Sequence, residues 1–358
     1  MAKCQLKRIL YITNIEVPYR VRFFNELAKK YDLTVLYERK KSANRNTEWA
    51  KSENKQYKTI YLNGLKIGNE SGFDIRIIKY ILSGYDAIII GCCNSKAQIF
   101  AMTFMRILRK PYILNIDGEL FIGAGFKSKL KSLVIKGAYG YMVAGNKAAE
   151  SIRNTTRSKK VFSYGFSSLS IDEIHEHASG ENKNRNDNIL VIGQYMDYKG
   201  MDVALEVAKK NDSLKYKFIG TGYRSNLLLE DMRLNNVNNV EVIPFLQKDK
   251  LEKEYINCSM LILPSRQECW GLVINEAASF GTPIVSTWGS GAAVEFLADE
   301  YSCFLAQPGN ADDLYNKIID LINYRDIKKY KKYLIDKSTK YTIEGSAKDH
   351  IAALEQII

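Results

Sequence analysis

The chain alternates short apolar runs with longer segments of helical periodicity along nearly its whole length. In the first half, runs bounded by Gly, Pro, Asn or Asp predict buried strands at 9–13, 33–37, 87–90, 112–116 and 141–143. In the second half, the same pattern predicts strands at 189–192, 216–219, 240–243, 260–263, 283–286 and 303–305. Because helices between consecutive strands cover both faces of a sheet, we expect an α/β fold with doubly wound parallel sheets.

The length of the chain predicts two domains, because one hydrophobic core stops growing at roughly 250–300 residues. The polar stretch 179–188 contains no apolar residue and is typical of an interdomain linker. We therefore predict domains at 1–185 and 186–340, followed by a helical segment at 341–358 that docks on either domain. Ligands of such sheets bind beyond the carboxyl ends of the strands, so we expect the domains to face each other across a cleft.

Composition narrows the classes of function. Hydrophobic residues make up 46% of the chain, which excludes wholesale disorder. The 52 Lys and Arg against 40 Asp and Glu give a net charge of +12, which favours anionic partners. Six cysteines without a C-x-x-C spacing indicate a reduced, cytoplasmic chain. No apolar run is long enough to cross a bilayer, so any membrane contact is expected to be peripheral.

Segment 261–286 carries most of the chemical information. A predicted strand ends at Pro264, a loop carries Glu268, and Gly271 allows a tight turn into a helix. The free amides and the dipole of a helix N-terminus favour phosphate. Glu268 and Glu276 flank this helix start, and carboxylates accept hydrogen bonds from sugar or ribose hydroxyls.

This pattern resembles the signature of glycosyltransferase family 4, whose members are retaining enzymes of the GT-B fold with two Rossmann-like domains. The resemblance rests on Glu268 and Glu276, separated by seven residues, and on Gly-x-Pro-x-Val at 281–285. Segment 191–200, with Lys199-Gly200, is similar to the first strand and phosphate-binding lysine of the family's donor domain. Segment 218–222 is similar to its second strand and glycine turn.

The resemblance implies roles for individual residues. Glu276 would bind the ribose hydroxyls, Glu268 the hydroxyls of the transferred sugar, and Lys199 the donor diphosphate, with the amides around Trp270 capping it. The full donor-binding set implied by the resemblance is Gln194, Lys199, Gly220, Gly222, Arg266, Glu268, Cys269, Trp270, Gly271, Leu272 and Glu276. A core role for Trp270 is an equal alternative to stacking on a ligand.

The start of the chain, residues 11–27, resembles the acceptor domain of bacterial members that build surface polysaccharides. On this side the expected site residues are Tyr19, Arg20, Asp117 and Glu119. Asp117 falls where many members carry a histidine beside the reacting carbon, so it is a third expected catalytic residue with Glu268 and Lys199. Binding of a sugar hydroxyl by Asp117 and Glu119 stands beside the alternative that both are ordinary solvated residues.

Two further features concern charge. Gln194 stands where the family commonly has an arginine, so we expect Arg266 or Arg20 to supply the missing cation. No D-x-D spacing occurs, and the H-E-H run formed by His175 and His177 lies without other candidate ligands. We therefore expect metal-independent transfer without a cofactor.

The leading hypothesis is retaining transfer of a sugar from a nucleotide diphosphate sugar to a glycan or lipid-linked acceptor. A nucleotide-sugar epimerase of the same fold is an alternative, but it needs groups that remove a C–H proton, and no histidine lies near a predicted strand end. A non-catalytic basic protein that binds nucleic acid is another, although no nucleic-acid-reading motif accompanies the charge. The donor base, the sugar, the acceptor and the linkage stay open.

The segment 126–136 has helical periodicity with four lysines, and Arg20, Arg22, Lys29 and Lys30 add basic charge to the first domain. An anionic bilayer attracts each such residue by about 1 kcal/mol. We therefore expect weak, peripheral association with an anionic membrane surface, although any surface helix has a similar pattern.

Overall fold

The computed structural model describes residues 6–39, 54–62, 64–67, 71–91, 95–118, 126–179 and 187–358. The chain divides into two compact units. The first unit contains Met1–Ser167 together with Ile343–Ile358, and the second contains Ser168–Thr342. Each unit is built on its own parallel sheet.

The first unit contains a seven-stranded sheet in the order β3-β2-β1-β6-β7-β8-β9, in which all pairings are parallel. Its strands are β1 (Arg8–Ile15), β2 (Asp32–Arg39), β3 (Lys58–Tyr61), β6 (Ala87–Ile90), β7 (Ile113–Ile116), β8 (Gly140–Ala144) and β9 (Val161–Tyr164), beside a small antiparallel pair, β4 (Leu65–Ile67) and β5 (Ser71–Phe73). Its helices are α1 (Pro18–Ala28), α2 (Ile77–Ile81), α3 (Lys96–Ile107), α4 (Phe126–Lys136), α5 (Asn146–Thr156) and α14 (Ile343–Ile357).

The second unit contains a six-stranded sheet in the order β12-β11-β10-β13-β14-β15, again parallel throughout. Its strands are β10 (Asn188–Ile192), β11 (Lys215–Ile219), β12 (Val240–Ile243), β13 (Met260–Leu263), β14 (Ile284–Thr287) and β15 (Leu305–Ala306). Its helices are α6 (Ile171–Ser179), α7 (Met201–Lys209), α8 (Ser225–Leu234), α9 (Lys248–Asn257), α10 (Leu272–Ser279), α11 (Gly291–Leu297), α12 (Ala311–Ile322) and α13 (Ile327–Ser338).

Several strands inside the two sheets are buried over their whole length, as helices on both faces of a parallel sheet require. Four of these strands are β6, β7, β13 and β14, and all four residues of each are buried. Their apolar side chains form the core between sheet and helices, and burial of each large one stabilises the fold by about 1.5–3 kcal/mol. The prediction of an α/β fold with parallel sheets is confirmed.

The chain enters the second unit at Ser168, earlier than the predicted boundary at 186. The reason is the packing of α6, which contacts α10 and α13. His177 on α6 lies 2.8 Å from the Ser279 hydroxyl through Nδ1, and its ring stacks on Phe280. Most of the polar stretch predicted as a linker, residues 180–186, lies outside the described residues.

The C-terminal helix α14 belongs to the first unit, where it packs against α1, β8 and β9. This is one of the two docking sites that the sequence left open. The predicted strand at 303–305 is wrong in its first part, because Ser302–Phe304 form a turn of 3-10 helix before β15 begins at Leu305.

Candidate functional site in the second unit

Three loops at the carboxyl ends of β10, β11 and β13 carry most of the predicted donor-binding residues. These strands are neighbours in the sheet, so the residues that follow them are brought to one edge. Glycines allow the loops to approach closely. A Cβ atom on Gly220, whose φ is +146°, would lie 1.9 Å from the Gly193 carbonyl oxygen, and one on Gly222 would lie 2.4 Å from that of Tyr195. The two glycines therefore serve the packing of the turn.

Lys199 and Glu268 form the centre of this edge. Lys199 ends a turn of 3-10 helix after β10, and its ammonium donates to the Oε2 atom of Glu268 in the loop after β13. The two side chains are 18% and 14% exposed, so the ion pair is mostly shielded yet still open to a ligand. Gly200 follows with a φ of +69°, and a Cβ there would lie 2.1 Å from the Pro264 carbonyl oxygen.

The helix α10 begins beside this pair. Gly271 has a φ of +102°, and the helix runs from Leu272 with no acidic residue in its first turn. The first amide groups of a helix have no acceptor within it, and they carry the positive end of its dipole. An anion bound here would be stabilised by both.

Glu276 lies on the second turn of α10 and is held by two hydroxyl groups. Its Oε2 atom accepts from Tyr255 at 2.8 Å, and its Oε1 atom accepts from Ser168 at 3.2 Å. Burial raises the pKa of the Glu276 carboxyl, and the two hydroxyl donors offset part of that effect. A carboxylate kept in this way retains acceptor positions for further hydroxyl groups.

The arginines near the turn at 197–200 already have partners. Arg266 makes a bidentate ion pair with Asp202, with both N···O distances 2.7 Å, and also donates to the Asp197 carbonyl oxygen at 2.9 Å. Gln194 is exposed at the exit of β10. Arg266 is therefore near the turn, where Asp202 already balances its charge. Arg20, the other expected replacement, is ion-paired with Asp117 in the first unit.

Sequence reasoning missed Arg224 at this edge. Arg224 lies two residues beyond the glycine turn and forms an ion pair with Asp197, a neighbour of Lys199 along the chain. Its position two residues after the Gly-x-Gly turn is the signal that points to it. Ser168 and Tyr255, the partners of Glu276, were also missed, because nothing in their sequence surroundings distinguishes them.

The other predicted donor-binding residues differ in how far they are buried. Trp270 is buried, and its indole nitrogen donates to the Asn275 side chain at 2.9 Å, which is the core role that the sequence left as an alternative. Cys269 is exposed, and Leu272 is half-buried at the start of α10.

The predicted acceptor-side residues lie in the first unit. Asp117 follows β7 and forms an ion pair with Arg20, whose side chain is buried. Tyr19 is half-buried, with its ring edge-on to Phe166 at 5.8 Å. Glu119 lies outside the described residues.

In the part of the chain that the structure describes, no three His, Cys, Asp or Glu side chains are grouped as a metal site would need. The two histidines of the H-E-H run diverge, since His175 is exposed while His177 packs against α10. Burial lowers the pKa of His177 to about 4. Within the same described ranges, no helix combines the length and apolar character that a membrane crossing requires.

Comparison with known proteins agrees with this geometry. Residues 172–341 match the family model described as glycosyl transferases group 1, and this range lies within the second unit. An uncharacterized glycosyltransferase of Methanocaldococcus jannaschii is 30% identical over 140 residues, which are 39% of this chain and 39% of that protein. The sulfoquinovosyl transferase of Arabidopsis thaliana is 27% identical over 141 residues, 38% of this chain and 27% of that protein. The chain thus matches about two fifths or less of the length of these curated relatives.

Solved structures match over both units. Sucrose-phosphate synthase from Thermosynechococcus elongatus gives a TM-score of 0.73 at 13% identity, covering 98% of this chain and 99% of that one. Anabaena HepE in complex with UDP and glucose gives 0.72 at 14% identity, covering 98% of this chain and 100% of that one. The chain has the GT-B fold of these neighbours.

The family match and the named relatives thus show that the second unit is similar to the glycosyl transferases of group 1.

Proposed function

We propose that this protein transfers a sugar, with retention of anomeric configuration, from a nucleotide diphosphate sugar to a glycan or lipid-linked acceptor. The reaction needs no metal ion, and the product belongs to a cell-surface polysaccharide. The donor occupies the edge of the second unit defined by Lys199, Glu268, Glu276 and the start of α10.

The ion pair between Lys199 and Glu268 is the observation that carries the proposal. A lysine and a glutamate that neutralise each other can exchange partners when a nucleotide sugar binds. The ammonium then takes the diphosphate, and the carboxylate takes hydroxyl groups of the sugar. One contact thus holds both groups in place before the donor arrives.

The reacting bond places negative charge on the leaving diphosphate in the transition state. Groups placed in advance to receive that charge lower the barrier most, because they need no reorganisation during the reaction. The Lys199 ammonium and the amide groups at the start of α10 are suited to this task. With retention, the leaving phosphate itself takes the acceptor proton on the same face, so no separate general base is required.

The comparisons support the choice of donor. The structural neighbour HepE was solved in complex with UDP and glucose, and a neighbour from E. coli was solved bound with UDP-2-fluoro glucose. The match to glycosyl transferases group 1 covers the candidate site itself. These ligands belong to the neighbours, and we propose the same chemical class for this chain.

The test begins with the nucleotide. UDP, GDP and ADP are screened by thermal shift, since a ligand at 100 times its Kd stabilises a protein by about 2.7 kcal/mol. Nucleotide sugars with the selected base are then incubated with EDTA, with and without candidate acceptors, and the products are analysed by NMR. We expect the new glycosidic linkage to have the same anomeric configuration, α or β, as the sugar in the donor. Conversion of the donor alone would favour the epimerase, and binding of none of the nucleotides would refute the proposal.

Lys199→Ala is the informative variant, and Lys210→Ala is its matched control. Lys210 lies at the other end of α7 and pairs with the exposed Asp312, so its loss leaves the candidate site intact. We expect Lys199→Ala alone to weaken nucleoside diphosphate binding. Equal affinities in the two variants would contradict the role of Lys199.

The proposal includes weak, peripheral contact with the cytoplasmic face of a membrane through α4. Lys129 and Lys136 are exposed on this helix together with Leu133, which is 54% exposed. Other members of the predicted basic set have acidic partners: Arg20 is buried and ion-paired, and Lys29 and Lys30 pair with Glu26 and Glu355. The contact therefore depends on the exposed lysines of α4. Sedimentation with neutral and anionic liposomes tests this contact, and equal binding to both would contradict it.

A further inference from the structure

A buried polar network surrounds Asp117 at the carboxyl end of β7 in the first unit. The Asp117 Oδ1 atom accepts hydrogen bonds from the Asn115 amide at 3.0 Å and from the Tyr164 hydroxyl at 2.8 Å. Its Oδ2 atom accepts from the Arg20 guanidinium. The Asn115 oxygen in turn faces the Nε2 atom of His350 on α14, which is 235 residues further along the chain.

All of these residues except Asp117 are buried. Arg20 is 6% exposed, Tyr164 4%, His350 1% and Asn115 0%, whereas the side chain of Asp117 is 33% exposed. A buried ion pair seldom stabilises a fold more than well-packed apolar residues would, so stability alone does not account for this arrangement. The one group of the network that reaches the surface is the carboxylate, at the edge of the sheet where ligands bind.

The carboxylate has acceptor capacity left. An ionised carboxylate offers about four lone-pair positions. Three of these are taken by Asn115, Tyr164 and Arg20. Since the side chain of Asp117 is 33% exposed, a substrate hydroxyl can reach the carboxylate.

The electrostatics select the kind of substrate. The charge of Arg20 is buried and matched by Asp117, so the exposed surface presents the carboxylate. Burial would lower the pKa of Arg20, but attraction to Asp117 and neighbouring tyrosines raises it well above its ordinary value, so the guanidinium stays charged. Such a surface repels phosphate and accepts a hydrogen bond from a hydroxyl group.

His350 fixes the orientation of the Asn115 amide. The amide must present its nitrogen to the Asp117 carboxylate, so its oxygen needs a donor, and the Nε2–H of His350 supplies it. Nδ1 lies 2.7 Å from the Ser346 carbonyl oxygen, so both ring nitrogens of His350 face acceptors and only a ring with a proton on each nitrogen donates to both. Burial lowers the pKa of His350 to about 4, which favours a ring with a single N–H, and the orienting role of His350 requires that proton to be on Nε2, toward Asn115. Without His350, the amide can turn over and place its oxygen against Asp117.

We propose that His350 and Asn115 are positioning residues that hold the Asp117 carboxylate ready to accept a hydroxyl group of an uncharged sugar substrate. This inference rests on the proposed function, because it describes a sugar site in the same enzyme. It extends that function in two ways. It names two residues that lie far apart in the sequence, and it requires that the sugar in contact with Asp117 carry no phosphate group at that contact.

The experiment compares His350→Leu, which removes the donor, with His350→Gln, whose amide nitrogen lies near the position of Nε2. Binding of neutral methyl hexosides and of hexose 6-phosphates is measured by saturation-transfer NMR, and binding of UDP, GDP and ADP is measured in parallel. We expect the wild type to bind at least one methyl hexoside and to bind the phosphates more weakly. His350→Leu should lose about tenfold in hexoside affinity, as expected for one hydrogen bond to a charged group, and His350→Gln should recover most of it.

Several outcomes would overturn the inference. They are failure of the wild type to bind any methyl hexoside, tighter binding of the phosphates, or equal losses in both variants. Loss of nucleotide binding together with hexoside binding in His350→Leu would show a merely structural role. Absence of nucleotide binding in the wild type would instead refute the proposed function, so the two failures are distinguishable. Tyr164→Phe, which removes one donor to Asp117, serves as a second variant and should also weaken hexoside binding.

Discussion

Replacement of Glu276 by glutamine tests whether this carboxylate binds nucleotide or only supports α10. The two side chains have the same shape. In Glu276→Gln, the amide oxygen can accept from Tyr255 as the carboxylate Oε2 atom does. The amide NH₂ group can donate to the Ser168 oxygen in place of the bond that Oε1 accepts. The variant therefore keeps both contacts and loses only the charge.

The expected effect on stability follows from the pKa of Glu276, which burial raises above its ordinary value. Between the unfolded and folded pKa values, the folded state binds the proton more tightly than the unfolded state. The stability that the wild-type carboxyl contributes is thus present at low pH and is lost as the pH rises through the folded pKa. Glutamine does not titrate, so the variant should gain relative to the wild type over that window.

We expect a small change in the free energy of unfolding and a large change in nucleotide affinity. Because both hydrogen bonds survive, we expect the free energies of unfolding at about pH 5 to agree within about 1 kcal/mol, with the variant the more stable protein by about pH 8. A hydrogen bond to a charged group contributes about 1.5–3 kcal/mol, so loss of one to a ribose hydroxyl should weaken nucleotide binding about 10- to 100-fold.

Urea unfolding across this pH range and calorimetric titration with the nucleoside diphosphate measure the two effects. Glu295→Gln is the matched control, because Glu295 also accepts a tyrosine hydroxyl, that of Tyr341 at 3.0 Å, but on α11. It should leave nucleotide affinity unchanged. If Glu276→Gln were less stable at every pH and bound nucleotide normally, Glu276 would be a structural residue and the proposed ribose contact would be wrong.

Three further variants probe the same edge of the second unit. Lys199→Ala should remove several kcal/mol of transition-state stabilisation, seen as a fall of at least about a hundredfold in kcat/KM with intact thermal unfolding. Glu268→Gln should free the Lys199 ammonium, so calorimetry should show tighter binding of UDP or its counterpart while turnover of the nucleotide sugar falls; weaker binding would contradict the exchange of partners. Gly220→Ala should lower the melting temperature, because its Cβ would lie 1.9 Å from the Gly193 oxygen; an unchanged melting temperature would contradict that constraint.

Sequence patterns predicted the strands whose residues form short apolar runs, and these include the edge strand β12, none of whose residues is fully buried. The runs at 87–90 and 260–263 coincide with β6 and β13, which are buried at every position. The two edge strands β3 and β9 were missed for the opposite reason. No residue of β3 is fully buried, and β9 is buried only at Val161 and Tyr164, so neither forms a continuous apolar run.

The domain boundary shows the limit of composition as a guide. A stretch without apolar residues indicates where a chain is not needed in a hydrophobic core. It does not indicate the residue at which the chain stops packing in one domain and starts packing in the next. That change occurs at Ser168, before the polar stretch, because α6 has a buried Ile174 and a half-buried His177 that pack within the second unit. Contacts between residues about a hundred positions apart, such as that of His177 with Ser279, decided the boundary, and no local pattern encodes them.

The same distinction applies to the candidate site. Backbone requirements are local: a glycine before a helix, or two glycines after a strand, predict where loops turn and which residues follow them. Charge matching is not local. Arg266 is paired with Asp202, 64 residues away, and Arg20 with Asp117, 97 residues away, and no local pattern around Gln194 indicates either carboxylate partner. Since each of these arginines already has a carboxylate, a diphosphate must compete for cations here, and Lys199 is the one whose partner, Glu268, is itself suited to receive the sugar.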